Sequence, residues 1–284
     1  MTRHVILFSA LVSLASCNML KDTPSDPTPL PTNIVNYTVV GASDAIGYGS
    51  SIVCVPFIAC PAGTGYIQII ERRLLSSGKT VDLTNLGIPG AVISSHVQAV
   101  GRAYGRDVTF NFISSELPVV ARDSTVVTIF AGANDANTIG GGVLAGLGGS
   151  NINAFILAET QSFARDLRTL VSGIKDRAPQ TKIVFLNLPN LAGLPYTAGY
   201  TVEQKRVFQQ IAVAFSNEIN AMTSIGASVV DLMCDSAFYS PGLLSSDGFH
   251  PNDAGYAHLA DIVYPAVTGT IGLPLGSCAQ MTLY

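Results

Sequence analysis

From Tyr37 onward, short apolar runs rich in β-branched residues alternate with longer segments of helical period. The runs are Tyr37 to Gly41, Val81 to Leu86, Ser124 to Phe130, Lys182 to Leu188 and Ser228 to Leu232. Ser-Thr-Val-Val-Thr-Ile-Phe and Lys-Ile-Val-Phe-Leu lack the strict alternation of half-exposed strands, which predicts strands covered on both faces. Between them, Phe155, Ile156, Phe163, Leu167, Leu170, Val171 and Ile174 recur mostly three and four apart and predict a helix from Ile152 to Arg177. A second starts at Thr201, where T-x-x-Q through Gln204 fits a capping box, continues through Val207, Ile211, Phe215 and Ile219, and stops near Gly226. A third runs from about Asp253 to Val267, and a helix after the second strand would carry His96. Strand and helix in alternation imply right-handed crossovers and a five-stranded parallel sheet with helices on both faces, a three-layer α/β/α sandwich. There is no internal repeat. Six of the ten residues from Gly140 to Gly149 are glycine, and the stretch is expected to be a loop, either a lid over a site or a flexible exposed segment.

The first residues read as an address. Arg3 and His4 precede the apolar run Val5 to Ser16, too short to cross a bilayer but of the size of a secretion signal. It ends in Leu14-Ala15-Ser16-Cys17, which resembles the bacterial lipobox, so residues 1–16 are expected to be a lipoprotein signal peptide and Cys17 a lipidated N-terminus. An ordinary signal followed by an unpaired cysteine is the competing reading. Residues 17–36 hold Pro24, Pro27, Pro29 and Pro31 among small polar residues and suit an extended tether, which leaves residues 37–284 as the domain. The expected location is the cell envelope, bound to the membrane through the lipid anchor. Asn18 in place of aspartate favours the outer over the inner membrane in a Gram-negative source.

Composition narrows the field. The chain of 284 residues is 48% hydrophobic and 12% charged, inside the globular range. A net charge of −4 without any Lys/Arg run gives a phosphate backbone nothing to bind, so no nucleic-acid partner is expected. Beyond Cys17 lie Cys54, Cys60, Cys234 and Cys278, an even number in an exported chain. Three pairings are possible, and proximity favours Cys54 with Cys60 and Cys234 with Cys278. Zinc ligation competes, but there is no C-x-x-C and no nearby histidine.

Ligands of an open parallel sheet bind beyond the carboxyl ends of its strands. Four segments fall there: Gly41-Ala42-Ser43-Asp44, Asn85-Leu86-Gly87-Ile88-Pro89-Gly90, Ala131-Gly132-Ala133-Asn134-Asp135 and Asp247-Gly248-Phe249-His250-Pro251-Asn252. Acyl transfer needs this inventory. A serine hydroxyl is a poor nucleophile until an imidazole takes its proton, and a carboxylate must hold the imidazole in the right tautomer. Ser43, His250 and Asp247 can fill those roles. The backbone N–H groups of Ser43 and Gly90 and the side-chain amide of Asn134 suit an oxyanion hole, and glycine at 90 would let the backbone come close. Taken singly, each segment also reads as a plain turn, with Asn134 and Asp135 as helix caps.

Together and in this order, the segments resemble the blocks of the SGNH hydrolases, also called the GDSL esterase and lipase family, from Val39 to about Ala260. The resemblance implies a flavodoxin-like α/β/α fold, Ser43 as nucleophile, Gly90 and Asn134 as oxyanion donors, and Asp247 with His250 as the proton-transfer pair. It implies a serine ester hydrolase acting on a small-molecule, lipid or glycan ester, with no metal or organic cofactor. A monomer is expected. The alternative is an envelope lipoprotein that binds glycan or lipid in the same pocket without cleaving it, or that transfers the acyl group. One departure stands out: the family's Gly-Asp-Ser-Leu is Gly-Ala-Ser-Asp here, which puts support of the serine turn in doubt. Asp44 is expected to hydrogen-bond the loop after Ser43, and His96 and His258 are expected to be surface or packing residues. No Gly-x-Ser-x-Gly elbow occurs.

Overall fold

The computed structural model describes residues 33–284. The expected signal peptide, Cys17 and the expected tether up to residue 32 lie outside the described residues.

Five strands form one parallel sheet: β1 (Ile34–Gly41), β2 (Thr80–Asn85), β3 (Val126–Phe130), β4 (Lys182–Leu186) and β5 (Ser228–Val230), in the order β2-β1-β3-β4-β5. The chain leaves β1 for β2 on one side and returns to place β3 on the other, so the order reverses between β1 and β3. Ligand crevices of doubly wound sheets form at such a reversal. All five residues of β3 are buried, whereas in the edge strand β2 only Asn85 is buried and the others are exposed or partly covered. The continuous apolar runs therefore mark the centre of the sheet.

The first strand begins three residues earlier than its sequence suggested and takes in residues assigned to the tether. Ile34, Val35 and Asn36 pair with Thr80, Val81 and Asp82, and the Asn36 side chain donates to the Asp123 carboxylate at 2.8 Å. An isolated Ile-Val-Asn reads as linker because its partner strand lies some 45 residues away in sequence.

The helices are α1 (Tyr66–Ser76), α2 (Ser95–Ala103), α3 (Ala133–Leu144), α4 (Ile152–Arg177), α5 (Val202–Asn220) and α6 (Asp253–Thr268). One layer holds α1 against α6; in the other, α2 meets α3 and α5 meets both α3 and α4. The Phe163 and Phe215 rings stack at 4.0 Å between α4 and α5. The predicted capping box is present, with Thr201 Oγ1 accepting from Gln204 N and Gln204 Oε1 accepting from Thr201 N. No helix among the described residues is long and apolar enough to cross a membrane.

The glycine-rich stretch is a correction. Gly140 to Leu144 belong to α3, and the loop begins only at Ala145. Helix propensity argues against three consecutive glycines, but here packing decides. A Cβ on Gly140 would lie 2.6 Å from the Phe208 ring, and one on Gly141 2.8 Å from Tyr104 Oη. Those residues are small because Tyr104, just after α2, and Phe208 of α5 press against them, and the loop that remains runs from Ala145 to Asn151.

Both favoured disulfides are formed, with Cα–Cα distances of 5.8 Å for Cys54–Cys60 and 5.6 Å for Cys234–Cys278. The second ties the C-terminal segment to the loop after β5. No group of three His, Cys, Asp or Glu among the described residues could hold a metal ion.

Candidate active site

The loops after β1 and β3 and the turn before α6 meet at the carboxyl edge of the sheet. Ser43 opens a short 3-10 turn, Ser43–Ile46, directly after β1, and is 5% exposed. Its Oγ lies 2.8 Å from His250 Nε2. On the far side of the imidazole, Nδ1 lies 2.6 Å from Asp247 Oδ2. A carboxylate can only accept, so Nδ1 carries the proton and Nε2 offers its lone pair to the serine hydroxyl.

The turn from Asp247 to His250 is built around the carboxylate. Asp247 Oδ1 accepts from Ser245 Oγ at 2.8 Å and from the backbone N–H groups of Phe249 at 2.8 Å and His250 at 2.9 Å. Burial opposes its ionisation, but the bond from His250, the two backbone bonds and the Ser245 bond outweigh it and hold the carboxyl down to about 2. The segment is then anchored by Asn252, which caps α6 by accepting from Gly255 N and donates to the carbonyls of Gly242 and Leu244. The imidazole is flanked by the rings of Tyr48 and Phe249, at 4.7 and 4.9 Å.

Asn134 does not cap α3, since Gly132 holds the cap position and Asn134 is the second residue of the helix. Its Nδ2 donates to the Ala91 carbonyl at 3.0 Å, which brings Asn134 beside the residue that follows Gly90. Ala42, Asp44, Ala91, Ala133 and Asn134 line one cleft with Phe112, Phe130 and Phe249. The positive end of α3 faces it, where a developing anion is favoured. Gly90 has a φ of 78°, a backbone conformation that favours glycine, and a Cβ there would meet no protein atom within 4 Å.

Asp135, the next residue, is fully buried and accepts from Ile93 N at 2.8 Å, tying the loop of Gly90 to the helix of Asn134. Burial pushes its carboxyl up to about 7 against the N–H groups it accepts from. Burial raises the pKa of Asp44, while the nearby His250 and the residue's own N–H lower it. His96 and His258 stand apart from this cluster, paired with Glu159 at 2.7 Å and Asp235 at 2.5 Å. Sequence reasoning assigned no role to Tyr48, whose ring walls the imidazole, and no local pattern announces it.

The architecture is similar to that of a lipase from a goat rumen metagenome, with a TM-score of 0.55 at 17% identity over 84% of this chain and 99% of that one. It is also similar to phospholipase A1 from Streptomyces albidoflavus, with a TM-score of 0.53 at 15% identity over 82% of this chain and 99% of that one. No curated protein matches the sequence. Residues 39–258 match the model of the GDSL-like lipase/acylhydrolase family, and the chain belongs to that family of ester hydrolases.

Proposed function

We propose that the chain is a serine carboxylic ester hydrolase working through an acyl-Ser43 intermediate. The observation that carries this reading is the unbroken relay from Ser43 Oγ through His250 to Asp247, at 2.8 and 2.6 Å. His250 Nε2 takes the hydroxyl proton as Ser43 Oγ bonds to the ester carbonyl carbon. Asp247 stays ionised and stabilises the imidazolium that forms. The carbonyl oxygen becomes an oxyanion facing the N–H groups of Ser43 and Gly90 and the Asn134 amide. As the tetrahedral adduct collapses, the ester C–O bond breaks and His250 returns the proton to the departing alcohol. Water then gives a proton to His250 and adds to the acyl carbon; as this second adduct collapses, the bond to Ser43 Oγ breaks, His250 returns the proton to Ser43 and the carboxylic acid leaves. Every proton is accounted for within the relay.

The test is hydrolysis of p-nitrophenyl esters from acetate to palmitate beside the Ser43→Ala variant. Loss of turnover in the variant supports the reading, and wild-type rates in it sink the reading. The chain-length optimum separates a small-acyl esterase from an enzyme for fatty acyl groups.

The N-terminal pattern supports a second part of the proposal: residues 1–16 direct export, and lipid on Cys17 holds the enzyme at the cell envelope by way of the Pro-rich tether. Cys17→Ser should move the protein from the membrane to the soluble fraction. Retention of the variant on the membrane would refute the anchor.

A further inference from the structure

Glu116 is an acid beneath the site that none of the four segments contains. It closes a single π-helical turn, Phe112–Glu116, and is 1% exposed. Its Oε2 accepts from the backbone N–H of Gly41 at 2.9 Å, and its Oε1 is buried without a partner. Gly41 ends β1, two residues before Ser43, and the pairing of β1 with β2 stops earlier, at Val39 and Asn85. The N–H of Gly41 thus finds its partner in a side chain 75 residues away. Ala42, the next residue, has no group that could hold the turn from within.

A buried N–H left unmet drives the backbone to shift until it finds water or another acceptor. Here such a shift would swing the turn that aims the Ser43 hydroxyl at His250. Burial raises the Glu116 carboxyl well above its ordinary pKa, opposed by the Gly41 bond. Phe112, at the other end of the same turn, lines the cleft with Asn134, which places the turn directly against the site.

We propose that Glu116 is a positioning residue for the nucleophile, holding the Gly41 N–H so that the turn after β1 keeps Ser43 within reach of His250. This rests on Ser43 being the nucleophile.

The experiment compares the full chain with its Glu116→Gln, Glu116→Asp and Glu116→Ala variants. It measures the rate of Ser43 labelling by a fluorophosphonate, kcat and KM for p-nitrophenyl acetate, and thermal melting, all assayed well below each melting temperature. Glutamine retains an acceptor of the same reach and should stay within about threefold of wild type. Aspartate keeps the acid but falls short of Gly41; it and alanine should lose about 10- to 100-fold in labelling rate and kcat with KM nearly unchanged, as displaced reacting groups do. A purely structural role would lower the melting temperature and leave kcat per labelled site intact. Folded Glu116→Asp with wild-type labelling, or Glu116→Gln as slow as it, would overturn the proposal. Failure of the wild type to label at Ser43 at all would instead overturn the serine mechanism on which it rests.

Discussion

Two histidine–carboxylate pairs bracket the start of α6. His250 lies three residues before the helix and binds Asp247 through Nδ1, while His258 lies within it and binds Asp235 through Nε2. The groups are the same and the distances nearly so, 2.6 and 2.5 Å. What differs is which nitrogen the acid occupies. In the first pair the carboxylate takes Nδ1 and leaves Nε2 for the Ser43 hydroxyl; in the second it takes Nε2, and no described hydroxyl is hydrogen-bonded to His258. His96 repeats the second arrangement, with Glu159 on Nε2. An imidazole beside an acid is thus common in this molecule. A relay exists only where the acid fixes the tautomer from one side and a nucleophile waits on the other.

Removing each imidazole in turn should separate the two pairs most clearly. His250→Ala should lower kcat for p-nitrophenyl acetate by about 10⁴-fold or more, towards what the oxyanion donors alone sustain. His258→Ala should change kcat by less than about threefold, its cost falling on the melting temperature instead. Equal losses in the two variants would mean the orientation of the imidazole is not what matters. Next in size, Asn134→Ala should cost about 10²- to 10³-fold in kcat, the loss expected for one oxyanion donor. An unchanged kcat would remove Asn134 from the mechanism.

Asp247, in the turn before α6, and Asp135, in the first turn of α3, titrate in opposite directions. The Asp247 side chain is 40% exposed yet held down to about 2 by four donated hydrogen bonds, whereas Asp135 is fully buried and pushed up to about 7. Asp135 therefore binds its proton more tightly folded than unfolded. Stability should fall as pH rises from about 4 to 7, where the unfolded chain has lost the proton and the folded one still holds it. The cost is complete above pH 7. Asp135→Asn keeps an acceptor for Ile93 N without the charge, so its stability relative to wild type should rise from pH 5 to pH 8 by on the order of 2 kcal/mol, read by urea unfolding. A constant difference between the two proteins across that range would contradict the assignment.

The strand–helix alternation was legible because it depends on local period, and the helix from Ile152 to Arg177 and the box at Thr201 stand where the pattern places them. The four site segments were legible because a strand end, a turn and a polar residue lie together in sequence. Long-range contacts escaped. Residues 34–36 become strand only through β2, the glycines of α3 become helix only against Phe208 and Tyr104, and Glu116 meets Gly41 only in the folded chain.

The central claim is that Ser43 is a nucleophile made reactive by His250 in particular. The most direct test is the rate and position of fluorophosphonate labelling in the wild type, His250→Ala and His258→Ala, with the modified residue located by peptide mass spectrometry. A single adduct on Ser43 is expected, formed at equal rates in the wild type and His258→Ala and undetectably slowly in His250→Ala. An adduct on another residue, or undiminished labelling without His250, would contradict it.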